Sequence, residues 1–219
     1  MRAKSPEWVN LMPDAGPPDT LAAAPERLTQ RARVLAKKRT KQLGLPDAHA
    51  LRVASLAAEI AYRLGFSVEE IETVVEGALL HDLGKTSVPQ SILDQPRQLT
   101  TAEYARVMQH PIWGAALVEG FVSDGVLMAI RHHHEWWNGT GYPARLAAND
   151  IPIEARIVGI ADAFAAMRET RPYRPALSRQ SAVGELQQCA GTQFDPQLVD
   201  PLIESLVSED SRSRHLVVH

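Results

Sequence analysis

Cysteine pairs, long apolar runs and a large charge excess are all missing from this sequence, and each absence excludes a class of protein. A single cysteine, Cys189, cannot close an internal disulfide, so a stapled secreted scaffold is set aside and a reducing, cytoplasmic setting is expected. No apolar run approaches the roughly 20 residues of a membrane-spanning helix. The opening MRAKSPEWVN lacks the apolar stretch of a secretory signal. A net charge of -3 gives no global attraction to nucleic acid or to an anionic membrane, and neither is expected as a partner. What is present is the composition of a folded protein: 45% hydrophobic and 22% charged residues over 219 positions. That suits one domain with a short appendage and is too apolar for a disordered chain.

Residues 1–25 read as a disordered, proline-rich lead, because Pro6, Pro13, Pro17, Pro18 and Pro25 interrupt every helix that could start there. Residues 26–44 read as a basic helix carrying Arg27, Arg31, Arg33, Lys37, Lys38, Arg39 and Lys41. No aromatic residues interleave these charges as a nucleic-acid platform needs, so a solvated helix face is the simpler reading. Helices then follow in quick succession. The first runs from Pro46 to Leu64 with a stripe at Val53, Leu56, Ile60 and Leu64. Ser67 with Glu70, and Thr100 with Glu103, have the spacing of capping boxes. Further helices are expected over about 111–121, 124–134, 178–189 and 195–207. The stretch from Ile151 to Met167 is nearly all apolar and should be buried on most sides. Strand alternation is absent apart from short pieces, so the fold class is all-α, with the folded domain over 45–207 and a flexible polar tail over 208–219.

Polar residues intrude on the inward faces of these helices. His49 lies in line with Val53, Leu56 and Ile60. Asp82 continues the stripe of Ile71, Val75 and Ala78, with His81 beside it. His110 follows Val107 by one turn, His133 and His134 extend the face of Val126 and Ile130, and Asp162 interrupts IVGIADAFAAM. One histidine on such a face is ordinarily a hydrogen-bonded core residue. A lone aspartate costs several kcal/mol unless paired, with Arg156 or Arg131 as candidates here. Five histidines and two aspartates together are better satisfied by divalent metal ions, for which imidazole and carboxylate are natural ligands. A carboxylate such as Asp82 can bridge two ions about 3.5–4 Å apart, the spacing of two-metal hydrolases. Thiolate is missing from the set, which argues against a structural zinc site and leaves iron, manganese or zinc in a catalytic role.

The same residues carry a resemblance. His81-Asp82-Leu83-Gly84-Lys85 resembles the HDxGK signature of HD-domain phosphohydrolases. His133-His134-Glu135 followed by Asn138-Gly139-Thr140-Gly141-Tyr142-Pro143 is similar to the HHE…DGxGYP segment of the HD-GYP subgroup. Arg171-Pro172-Tyr173-Arg174 and Phe194-Asp195-Pro196 continue the series in order, and the likeness spans residues 45–205. It implies a bundle of about seven helices around a metal centre, often of iron, and hydrolysis of cyclic di-GMP to pGpG or GMP by a hydroxide shared between two ions. It also implies that His49, His81, Asp82 and Asp162 hold one ion, and that Asp82, His110, His133 and His134 hold the other. Lys85 would meet one phosphate, Arg171 and Arg174 the other, and Gly141, Tyr142 and Pro143 would flank the substrate, leaving Asp82 and Lys85 as the catalytic pair. Counting back from the GYP loop places the tandem ligands at His133 and His134, with His132 outside the set.

Three positions depart from the family pattern. Leu45 stands where three-metal members have a glutamate, which favours a two-metal centre. Asn138 replaces the aspartate of DGxGYP and removes a charge. Ala165 replaces a second aspartate one turn after Asp162. Two other readings therefore stay open: a catalytically weak cyclic dinucleotide receptor that signals by contact, and a phosphodiesterase for another cyclic dinucleotide or for pGpG. The resemblance also suggests a diguanylate cyclase or sensor protein as partner, and is compatible with a homodimer.

Overall fold

Helix α1 (Ala48–Arg63) turns Val53, Leu56, Ile60 and the alanines between them into a fully packed face, and His49 lies on it as the stripe requires. A computed structural model describes residues 48–170 and 175–215, with side chains through residue 206. The expected lead, the basic helix, Pro46, Leu45, Arg171 and Arg174 lie outside the described residues. α2 (Val68–Leu80) starts at the Ser67–Glu70 capping box, in which the Ser67 hydroxyl accepts from the Glu70 amide and the Glu70 carboxylate accepts from the Ser67 amide. A 3-10 turn over Leu83–Ser87 follows, then α3 (Gln90–Leu93), a single turn. α4 (Thr101–Val107) carries the second expected capping box, from Thr100 to Glu103. α5 (His110–Val118), α6 (Asp124–His132), α7 (Ile153–Met167), α8 (Arg179–Gln188) and α9 (Pro196–His215) complete the described fold. Among the described residues there is no strand, only an isolated bridge between Ala190 and Phe194, so the fold is all-α as expected.

The layers follow from which faces are apolar. α1 packs against α2, α7 and α9, and α6 packs against α2, α5 and α7. No residue of α7 is exposed, which matches its nearly unbroken apolar sequence. The main core joins Val53, Ile60, Ile71, Ile157, Ile160 and Leu202, while a smaller cluster around Leu80, Val118 and Ile130 holds α5 and α6 to the end of α2. Three boundaries differ from expectation. α5 stops at Val118 instead of Phe121, because Gly120 takes a positive φ of 78° that ends the helix. α6 stops at His132, which leaves His133 and His134 in the turn beyond it. α9 runs on to His215, past the boundary set at Val207; its last residues are polar but contain no glycine or proline to break the backbone ladder.

Candidate metal centre

Each candidate ligand arrives at one place from a different element. His49 comes from the first turn of α1, His81 from the C-cap of α2, and Asp82 from the residue before the 3-10 turn, with φ -96 and ψ 4. His110 opens α5, His133 and His134 follow α6, and Asp162 sits mid-way along α7. The approach of the 3-10 turn to α5 depends on Gly84, where a Cβ would lie 1.9 Å from the His110 carbonyl oxygen and 2.5 Å from the Gly114 nitrogen. Any side chain there would push Asp82 away from His110.

Two groups form, each with ligand atoms within 4.8 Å of one another: His49, His81 and Asp82 in one, His110, His133 and His134 in the other. Asp82 stands between them. Its Oδ2 lies 3.4 Å from His81 Nε2, and its Oδ1 lies 3.3 Å from His110 Nε2. Asp162 Oδ1 is 2.9 Å from His49 Nε2 and 3.9 Å from His81 Nε2, so it closes the first group. Asp162 pairs with neither Arg156 nor Arg131; Arg156 instead donates to Asp195, in the FDP segment, at 2.6 Å.

Hydrogen bonding decides which ring nitrogens are free to ligate. His81 Nδ1 donates to the Ala78 carbonyl at 2.7 Å, His110 Nδ1 to Val107 at 2.8 Å, and His133 Nδ1 to Ile130 at 2.8 Å. A carbonyl only accepts, so each Nδ1 carries the hydrogen and each ring turns its Nε2, the atom left to ligate, into the cluster. His81 Nε2 is buried there without a hydrogen-bond partner, and the Nε2 atoms of His110 and His133 face each other at 3.3 Å. Converging lone pairs repel unless a cation sits among them. A shared proton would serve one pair; a divalent ion serves a whole group. The residues therefore fit a metal centre of nitrogen and oxygen donors.

The charge balance differs between the two groups. Burial pushes His81 down, but the carboxylates of Asp82 and Asp162 outweigh it and raise the ring to about 9, so without an ion this ring carries positive charge where a metal would otherwise supply it. Burial likewise works against Asp82, yet His81 and Lys85 hold its carboxyl well below the usual range. In the second group no carboxylate dominates. Burial lowers His134 to about 3, with His110 adding to the effect, and burial with His134 and His81 drives His133 well below the histidine range. Those two rings stay neutral at physiological pH and keep their lone pairs.

The surrounding residues fix the rim. Lys85 Nζ is 2.5 Å from Asp82 Oδ2, and its side chain is 40% exposed, so the ammonium stands at the mouth of the cluster. Tyr142 stacks on His134 with centroids 4.8 Å apart, while its amide donates to the His134 carbonyl. Gly141 allows this, since a Cβ there would lie 2.3 Å from the Trp136 nitrogen. His132 points elsewhere and faces Glu135 at 3.4 Å. Two acidic residues acquire roles that no motif assigned. Glu135, quoted only as part of HHE, accepts from the amides of Ala144 and Leu146. Glu169 accepts from His49 Nδ1 at 2.9 Å and is bonded by Arg52. The available signal for Glu169 was its spacing of seven residues, two helical turns, from Asp162.

Comparison with known proteins gives a consistent result. The sequence model described as "HD domain" matches residues 18–198. The cyclic di-GMP phosphodiesterase response regulator RpfG of Xanthomonas campestris is 40% identical over 69% of this chain and 41% of its own length. A 3'3'-cGAMP-specific phosphodiesterase of Vibrio cholerae is 33% identical over 90% of this chain and 37% of its own length. The chain thus spans about two fifths of the length of these curated relatives. Among solved structures, an HDG"Y"P protein from Bdellovibrio bacteriovorus shares the fold with a TM-score of 0.62 at 21% identity, covering 83% of this chain and 62% of that one.

Proposed function

The chain belongs to the HD-domain family, and from that premise we propose that it is a metal-dependent phosphodiesterase that hydrolyses cyclic di-GMP to pGpG or GMP. The observation that carries this reading is the placement of Asp82, one carboxylate oxygen facing each of two histidine groups. His49, His81, Asp82 and Asp162 would hold one ion, and Asp82, His110, His133 and His134 the other. Iron is the first choice, and the same donors accept manganese or zinc. Two such ions, when bound, supply an activated water and Lewis acidity toward the phosphodiester. The chain's own residues do the positioning. Lys85 brings an ammonium to a phosphate oxygen at the rim, Arg171 and Arg174 offer guanidinium forks to the other phosphate, and the Gly141–Tyr142–Pro143 loop flanks the substrate. Burial pushes the Tyr142 phenol up, so it stays a neutral hydrogen-bond donor.

The relatives' names favour one second reading, because they divide between cyclic di-GMP and 3'3'-cGAMP as substrate. The test is anaerobic purification with metal analysis, followed by hydrolysis assays on both dinucleotides. About two metals per chain, with cyclic di-GMP turnover that disappears in Asp82→Ala, is the expected outcome. Turnover of 3'3'-cGAMP alone would install the second reading. Metal with tight dinucleotide binding but no product would make the protein a receptor. Absence of metal after anaerobic handling would overturn the ligand assignment.

A further inference from the structure

Among the candidate ligands, His49 is held differently. The Nδ1 atoms of His81, His110 and His133 each donate to the carbonyl three residues behind. His49 is the second described residue of α1. Its Nδ1 goes instead to Glu169 Oε1, 2.9 Å away and 120 residues distant in sequence. Arg52, one turn along α1 from His49, donates to the same oxygen from Nε at 3.2 Å and also from Nη2. The Glu169 side chain is only 24% exposed, and it stands just past the C-terminal end of α7, the helix that carries Asp162.

We propose that Glu169 is a positioning residue for metal binding: it fixes the tautomer and orientation of His49, and Arg52 holds it in place. The proposal rests on the reading of His49 as a ligand. A carboxylate that accepts from Nδ1–H keeps a proton on that side, so Nε2, which meets Asp162 Oδ1 at 2.9 Å, is the nitrogen that gives up its proton to ligate an ion. It also makes that nitrogen a stronger donor than a carbonyl acceptor would, and losing such a partner typically costs about 10–100-fold in metal affinity. The effect is confined to one group. His110, His133 and His134 do not touch Glu169, so the second ion should be held as before.

The experiment titrates metal-free protein with Co(II) under anaerobic conditions, following visible absorption, with a chromophoric chelator in competition. Wild type is expected to take up two equivalents tightly. Glu169→Ala should retain one tight equivalent and weaken the other by about 10–100-fold. Glu169→Gln keeps an acceptor without the charge and should fall between the two. Arg52→Gln, a change at a half-exposed side chain that leaves the core intact, should weaken the same equivalent by less. Wild-type uptake of two ions together with superimposable curves for Glu169→Ala overturns the proposal alone, even if the variant melts at a lower temperature. Wild-type uptake of none removes the ligand reading and the proposal with it.

Discussion

Glu135 shows how one side chain can shape a loop without touching the chemistry. Its carboxyl is fully buried, and its two oxygens accept separately from the amides of Ala144, at 2.7 Å, and Leu146, at 3.1 Å. Between those amides Arg145 is held at a φ of 57°, a left-handed conformation that costs a non-glycine residue about 1–2 kcal/mol. Two charge-assisted bonds offset that strain. In Glu135→Gln the amide nitrogen would face a backbone N–H, donor against donor, and one bond would be lost. We expect a destabilisation of about 1.5–3 kcal/mol, read from urea denaturation of the metal-free protein. Asn138 teaches the opposite lesson. It departs from the family's aspartate, yet its side-chain oxygen accepts from the Thr140 amide and hydroxyl at 3.0 and 2.7 Å. The turn needs an acceptor and not a charge, so this substitution leaves the loop's local hydrogen bonding in place.

At the scale of the element, the capping boxes matter most. α4 is short and has no buried residue, so packing contributes little to it and its start must be fixed locally. Glu103 does so by accepting from the Thr100 amide and from Arg97 in a two-pronged pair at 2.8 and 2.9 Å. The Arg97 bonds, with those from Thr100, lower the Glu103 carboxyl to about 2. A carboxyl depressed in the folded state contributes stability above its unfolded value of 4.5, and that contribution fades as the pH falls toward about 2. The stability gap between wild type and Glu103→Gln should therefore be widest at neutral pH and narrow as the pH drops below 4.5. Carboxyl NMR titration gives a direct check: Arg97→Ala should move the Glu103 midpoint upward. A midpoint that stays put would mean that the backbone cap alone sets it.

For the whole molecule, the centre is where otherwise separate elements meet. The proposed ligands come from α1, the end of α2, α5, the turn after α6, and α7, so an ion bound there would cross-link most of the described fold. Metal that binds only the folded state adds about 2.7 kcal/mol at a free concentration one hundred times its dissociation constant. Chelation should accordingly lower the melting temperature by several degrees, and restoring the metal should recover it. Asp82→Ala should melt like chelated wild type and respond little to added metal, as differential scanning calorimetry can establish. A melting temperature indifferent to metal in the wild type would place the ions outside the folded-state ligand set.

The sequence by itself determined the all-α class, the capped starts of α2 and α4, and the inward facing of His49, because helical period and capping chemistry are local. It also placed the motif series that marks the family. The helix ends were less legible: α5 stops at a glycine conformation and α9 continues through polar residues to His215, and apolar pattern registers neither. Only the tertiary structure decided who partners whom. Asp162 could have faced Arg156, yet packing of α7 against α1 gives it His49, and Arg156 goes to Asp195. Glu169 offered only its seven-residue spacing from Asp162, and what it would bind was hidden for the same reason. Its partner lies 120 residues away, and the order of residues along a chain does not encode which distant side chain will meet a ring nitrogen.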